Sequence, residues 1–154
     1  MIPLPLTAEL IIENGRITLP AKLRKSLSER NINSIVIARG YDQCLCFWLP
    51  DEWNLHIERM KQTPRARGRS LIRKLLFGAT EEKIDKQGRL VIPQILRGYA
   101  QIGKEVILIG LPERIEVWDK KAWEEYDGSV SFEELGEELE KIPEPRTLNP
   151  ESRL

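Results

Sequence analysis

Short alternations of apolar and polar residues dominate the chain, broken by turn-forming glycines and by stretches with helical spacing. Ile17 and Leu19, like Leu90 and Ile92, alternate toward one face of an extended segment, which sends Arg16 and Arg89 to the opposite face. Upstream, the apolar Leu10 to Ile12 and the matching Lys83 to Asp85 around Ile84 meet the Gly turns Asn14-Gly15 and Gln87-Gly88; Asn-Gly tolerates positive φ at both residues, and a β-hairpin is predicted in each place. Pro20 and Pro93 then end strand pairing and suit the first turn of short helices over 21–27 and 94–99. Two further strand pairs follow, 35–38 with 45–48 and 106–109 with 115–118. Helices over 52–61, with Asp51 as N-cap, and over 120–126, with Asp119 as N-cap, close the two series.

Between the series, Leu71, Ile72, Leu75 and Leu76 recur at helical spacing, which predicts an amphipathic helix within residues 61–76. The same stretch carries Lys61, Arg65, Arg67, Arg69, Arg73 and Lys74 and no acid, so it reads either as a basic stripe for phosphate or as a covering helix with solvated arginines. Residues 131–142 read as an acidic helix started by Ser131, with Glu134 as its capping-box partner. Pro143, Pro145 and Pro150 predict a loose tail.

These series are two copies of one unit. Gly15 to Arg24 realigns on Gly88 to Arg97 at a shift of 73, and at a shift of 70 Ile35 to Gly40 falls on Glu105 to Gly110, Trp48 on Trp118 and Trp53 on Trp123. A unit of about 50 residues is smaller than most independently folding domains, so the copies are expected to share a core.

Composition narrows the function. The chain has 154 residues with 24 Lys+Arg against 24 Asp+Glu, room for one or two small domains. Residues 1–118 hold 19 basic and 13 acidic side chains, whereas residues 119–154 hold 5 and 11, so a basic body precedes an acidic tail. A basic body supplies the phosphate attraction of a nucleic-acid binder. The N-terminal residues lack the pattern of a secretion signal and no stretch approaches a membrane span, so a cytoplasmic protein with no membrane partner is expected. Cys44 and Cys46 read as reduced packing residues on one strand face. His56, the only histidine, reads as a helix-surface residue, and the usual zinc ligand sets cannot be assembled. Phosphate loops and nucleophile elbows are absent, so no catalytic residue, cofactor, metal or small-molecule substrate is expected.

The informative element is Asp85-Lys86-Gln87-Gly88-Arg89. If the middle three residues form a loop with glycine left-handed, Asp85 and Arg89 become cross-strand neighbours able to form an ion pair. That pair either merely stitches the hairpin or aims the guanidinium at phosphate or at guanine O6 and N7.

Two such units, with Gly-Arg-apolar-x-apolar-Pro in both and matched tryptophans, resemble the MraZ family of bacterial regulators over about residues 7–126. The resemblance implies a mainly β protein with short helices (α+β), a double-psi-like swapped-hairpin AbrB barrel formed by two tandem repeats, plus a C-terminal helix. Its parts would be a first AbrB-like repeat (7–53), a helical basic linker (54–80), a second repeat (81–126) and an acidic helical tail (127–154). It further implies a nucleoid-associated transcription factor binding direct repeats of double-stranded DNA upstream of division and cell-wall genes as a ring-shaped homo-oligomer. The family motif falls on Asp85 and Arg89 and, in the first copy, on Arg16, with Lys22, Arg24, Lys86 and Arg97 as supporting DNA contacts. Ile12 stands where the first copy should carry its Asp. Two other readings remain, an AbrB-like antitoxin and a protein-interaction scaffold that does not bind DNA.

Overall fold

The structure, a computed structural model, describes residues 1–145. It divides into two compact units, Met1–Trp123 and Glu124–Leu154. The first copy contributes β1 (Thr7–Ile11), β2 (Arg16–Thr18), α1 (Ala21–Glu29), β3 (Ser34–Arg39), β4 (Leu45–Trp48) and α2 (Pro50–Met60), followed by α3 (Arg65–Leu76). The second contributes β5 (Thr80–Lys83), β6 (Arg89–Val91), α4 (Gln94–Tyr99), β7 (Glu105–Gly110), β8 (Ile115–Asp119) and α5 (Lys120–Ser129); α6 (Phe132–Glu140) follows.

The expected local hairpins are corrected by the pairing. Chain direction does reverse at both glycine turns, but the flanking strands then separate and each finds its partner in the other copy. β2 pairs with β6, with Ile17 opposite Leu90, to make a two-stranded ribbon. β1 pairs with β7 and β5 with β3, on the two edges of a six-stranded antiparallel sheet ordered β1-β7-β8-β4-β3-β5. The physical reason is burial. β2 and β6 are three residues each, so the ladder within one turn is short, whereas crossing over lets Ile17, Leu19, Leu90 and Ile92 enter one shared core. The architecture is mixed α and β; among the described residues no pairing closes the sheet into a barrel.

Alternation along the central strands separates two apolar layers. Ile35, Ile37, Leu45, Phe47, Ile115 and Val117 point into the core shared with the ribbon, α1 and α4. Val36, Ala38, Cys46 and Trp48 point to the other face, where Met60, Leu71, Ile72 and Leu75 of α2 and α3 cover them. The linker helix therefore does pack by its apolar side, although Leu76 stays exposed. The α2 cap differs from expectation: Leu49 occupies the N-cap without a side-chain bond and Pro50 opens the helix, placing Asp51 and Glu52 inside the first turn where they complement the dipole. Asp119 acts as expected, its Oδ2 accepting from Ala122 N at 3.3 Å. In the C-terminal unit Ser131 accepts from Glu134 N at 3.2 Å and starts α6. Of the predicted tail, Pro143 and Pro145 are described and Pro150 lies outside the described residues.

The two crossing turns make a testable demand on glycine. Gly88 has φ +77°, and a Cβ there would collide with Arg24 Cδ from the first copy. Gly88→Ala is expected to cost about 1–3 kcal/mol in thermal or urea unfolding. Gly98→Ala in α4, where a Cβ meets nothing within 4 Å, should be neutral or stabilising by up to about 1 kcal/mol.

Candidate nucleic-acid interface

Ribbon geometry decides which arginines share a surface. In the β2–β6 register Arg16 lies opposite Val91 and Thr18 opposite Arg89. Ile17 and Leu90 between them are buried, so Arg16, Thr18, Arg89 and Val91 all stand on the exposed face. The two arginines are thus diagonal neighbours near opposite ends of one short ribbon. Leu19 N donates to Gly88 O at 2.9 Å and Ile92 N to Gly15 O at 2.8 Å, a reciprocal pair that fastens each turn to the other copy.

At the second turn the sequence expectation is met in detail. Gly88 is left-handed, Gly88 N donates to Asp85 O at 3.0 Å, and Asp85 N donates to Arg89 O at 3.0 Å, closing a three-residue loop. Asp85 Oδ1 accepts from Gln87 N at 2.9 Å and Arg89 N at 2.8 Å, while Oδ2 accepts from Arg89 Nε at 2.9 Å. The bond from the Arg89 amide, ahead of the guanidinium contact, holds the Asp85 carboxyl below the usual carboxylate range. Anchored through Nε, Arg89 keeps its terminal nitrogens for an outside acceptor. Lys86 is exposed on the loop, and Asp85, Lys86, Gly88 and Arg24 help line a cleft of about 470 Å³ beside it.

The first turn is shorter by one residue, and that resolves the missing Asp. Glu13 N donates to Arg16 O at 3.0 Å and Arg16 N to Glu13 O at 2.9 Å, enclosing only Asn14 (φ 52°) and Gly15 (φ 72°). Glu13, not Ile12, is therefore the backbone counterpart of Asp85. Ile12 matches Ile84: Ile12 N donates to Lys104 O and Ile84 N to Asn33 O, and both side chains pack on the core. The ungapped alignment failed here because the length change lies inside the turn. Arg16 remains exposed, and no side-chain bond ties it to Glu13 among the described residues.

The supporting cations divide. Arg24 Nε donates to Leu19 O at 2.9 Å and Arg97 Nε to Ile92 O at 3.0 Å, and each guanidinium lies over the glycine of the opposite copy's turn. These two seat the turns. Lys22 Nζ donates to Pro5 O at 2.6 Å.

Comparison with known proteins agrees with this duplicated arrangement. The family profile described as "MraZ protein, putative antitoxin-like" matches residues 13–70 and 75–141. The chain belongs to the MraZ family. It is 43% identical over 136 residues to a transcriptional regulator MraZ of Caldanaerobacter subterraneus subsp. tengcongensis, covering 86% of this chain and 92% of that protein. A transcriptional regulator MraZ of Thermoanaerobacter sp. is 42% identical, covering 83% and 90%, and one of Clostridium tetani is 38% identical, covering 83% and 89%.

Residues set aside in the sequence take definite places in this MraZ-family chain. His56 stacks on Trp48 with centroids 4.3 Å apart and lies 3.1 Å from Tyr41 Oη; burial first, then Arg59 and Arg114, lowers its pKa. It is half-buried rather than a plain surface residue. Cys44 and Cys46 are free and buried as expected, and the fold brings Glu116 to them, a neighbour that spacing did not show. A hydrogen bond with Cys46 and burial hold the Cys44 thiol well above its usual range, and Arg114 Nη2 lies 3.4 Å from Glu116. The Arg114 guanidinium therefore already supplies a positive charge beside Glu116 at this cluster. No helix among the described residues is long and apolar enough to cross a membrane.

Arg24→Ala and Arg97→Ala are each expected to lower stability by about 1–2 kcal/mol in urea unfolding, since each leaves a carbonyl and a turn unsupported. Arg16→Ala should move the midpoint little. For Asp85 the folded pKa lies below the unfolded one, so its contribution to loop order is complete above the unfolded value and is lost as pH falls through the folded one. NMR titration of the Asp85 carboxyl should show a midpoint below that of ordinary aspartates, rising toward it in Arg89→Ala.

Proposed function

We propose that this chain is a transcriptional regulator that binds double-stranded DNA through the β2–β6 ribbon, as the names of its relatives suggest. The observation carrying the reading is the placement of Arg16 and Arg89 on one exposed ribbon face, with Arg89 anchored by Asp85 through Nε. A two-stranded ribbon fits the major groove of B-DNA, and an arginine with free terminal nitrogens pairs with guanine O6 and N7 or with phosphate. Asp85 is a positioning residue, Lys86 and Lys22 supply phosphate attraction, and Arg24 and Arg97 act mainly by keeping both turns in place. The targets are direct repeats upstream of division and cell-wall genes, engaged at the nucleoid by a ring of copies whose linked ribbons gain avidity when repeat spacing matches. Nothing in this reading requires catalysis.

Gel shifts at stated salt against the DNA upstream of this chain's own gene test it. Arg89→Ala and Arg16→Ala should each weaken specific binding by about 5- to 150-fold, the range of a bidentate base contact of about 1–3 kcal/mol. A residue that contacts phosphate instead should reduce the log–log salt slope by about 0.9 when removed. Unchanged affinity and slope in both variants would exclude the ribbon. Asp85→Asn retains an acceptor for the backbone amides, so it should weaken binding with folding intact.

A further inference from the structure

We propose that the acidic helix α6 of one copy docks on the basic, apolar surface at the C-terminal end of α3 in a neighbouring copy; this rests on the ring reading and names the contact that builds it. The helix offers two distinct sides. Phe132, Leu135, Leu139 and, just beyond its end, Ile142 recur at helical spacing and each is more than half exposed. Between them lie Glu133, Glu134, Glu137, Glu138 and Glu140. A nine-residue helix is shorter than the length at which isolated helices become stable, so burial of that stripe would favour it.

The matching surface lies on the first unit. Leu76 and Phe77 end α3, and Gly78 lies against Ile95, so three apolar side chains, each about half exposed, fall in one neighbourhood. Arg39 supports Phe77 from beneath, its guanidinium 5.0 Å from that ring and 4.8 Å from Tyr99. Arg73 and Lys74 border the patch, and neither they nor Arg65, Arg67 and Arg69 form an ion pair with an acid among the described residues. An apolar stripe flanked by carboxylates thus meets an apolar patch flanked by cations.

Charge also selects the occupant. Two α6 helices would set five glutamates against five, and an anionic membrane leaflet would repel them. The donor and acceptor surfaces differ, and every copy carries both, so the contact is head-to-tail, the kind that closes into a ring when the rotation permits. DNA is not displaced by it. α3 packs on Val36 and Ala38 while the ribbon shares the core of Ile35 and Ile37, so they lie on opposite faces of the sheet.

The test uses the full chain. A Leu76→Cys chain and a Leu135→Cys chain, differently tagged and co-expressed, are oxidised; the native Cys44 and Cys46 are buried. A disulfide joining the two tags is expected, and light scattering of Leu135→Asp/Leu139→Asp should show loss of the assembled species, with unfolding of the first unit unchanged. Arg73→Glu/Lys74→Glu should likewise lose assembly, and Glu137→Lys/Glu138→Lys in the same chain should restore it. A linkage only between two Leu135→Cys chains, or only within a chain bearing both cysteines, would overturn the docking, as would full-size assembly of the aspartate variant; all three leave the ring reading intact. A wild-type mass of 17.8 kDa alone would overturn both.

Discussion

The structure depends on a reciprocal pair of backbone bonds between copies, Leu19 to Gly88 and Ile92 to Gly15. Each ties the residue just after a three-residue strand to the glycine of the other copy's turn. Neither turn could bury its alternating apolar residues alone, because a two-stranded ribbon in isolation has no second layer to pack against. Once crossed, Ile17, Leu19, Leu90 and Ile92 reach the same core as the central strands, and the turns are carried outward by what they bury. Arg24 and Arg97 complete the arrangement by lying over those glycines, which explains why arginine recurs at that place in both copies without both having to touch a ligand.

Much of this was legible in the chain. The repeat, the strand pairs on either side of Tyr41 and Pro112, the short helices after Pro20 and Pro93, and the Asp85–Arg89 ion pair all follow from local spacing and turn chemistry. What remained hidden was non-local. Period-two alternation shows which side of β2 is buried and is silent on whether its partner lies four or seventy residues away. Placing Ile12 opposite Asp85 failed for a related reason: two-residue and three-residue turns both accept a left-handed glycine, and only the hydrogen bonds show that Glu13 flanks the shorter one. The roles of Arg24 and Arg97 were equally invisible, since a basic side chain facing a turn on another segment has the same spacing as one facing solvent.

The two units differ in what holds them. Met1–Trp123 is organised around two apolar layers on either side of one sheet. In the C-terminal unit α6 has no buried residue, and its order comes from the Ser131 cap and from glutamates at its N-terminus.

Covalent fusion of the copies has a consequence for direction. A pair of identical subunits around a true two-fold axis has interchangeable ends and is matched by a palindromic target. Here one polypeptide supplies both ends, and they have diverged: one bend encloses Asn14 and Gly15 beside a guanidinium that no side-chain bond ties among the described residues, the other encloses three residues beside a clamped one. The ribbon is therefore polar, with a tight end and a wide end. Copies arranged head to tail would all point the same way, a geometry suited to targets repeated in one orientation rather than mirrored.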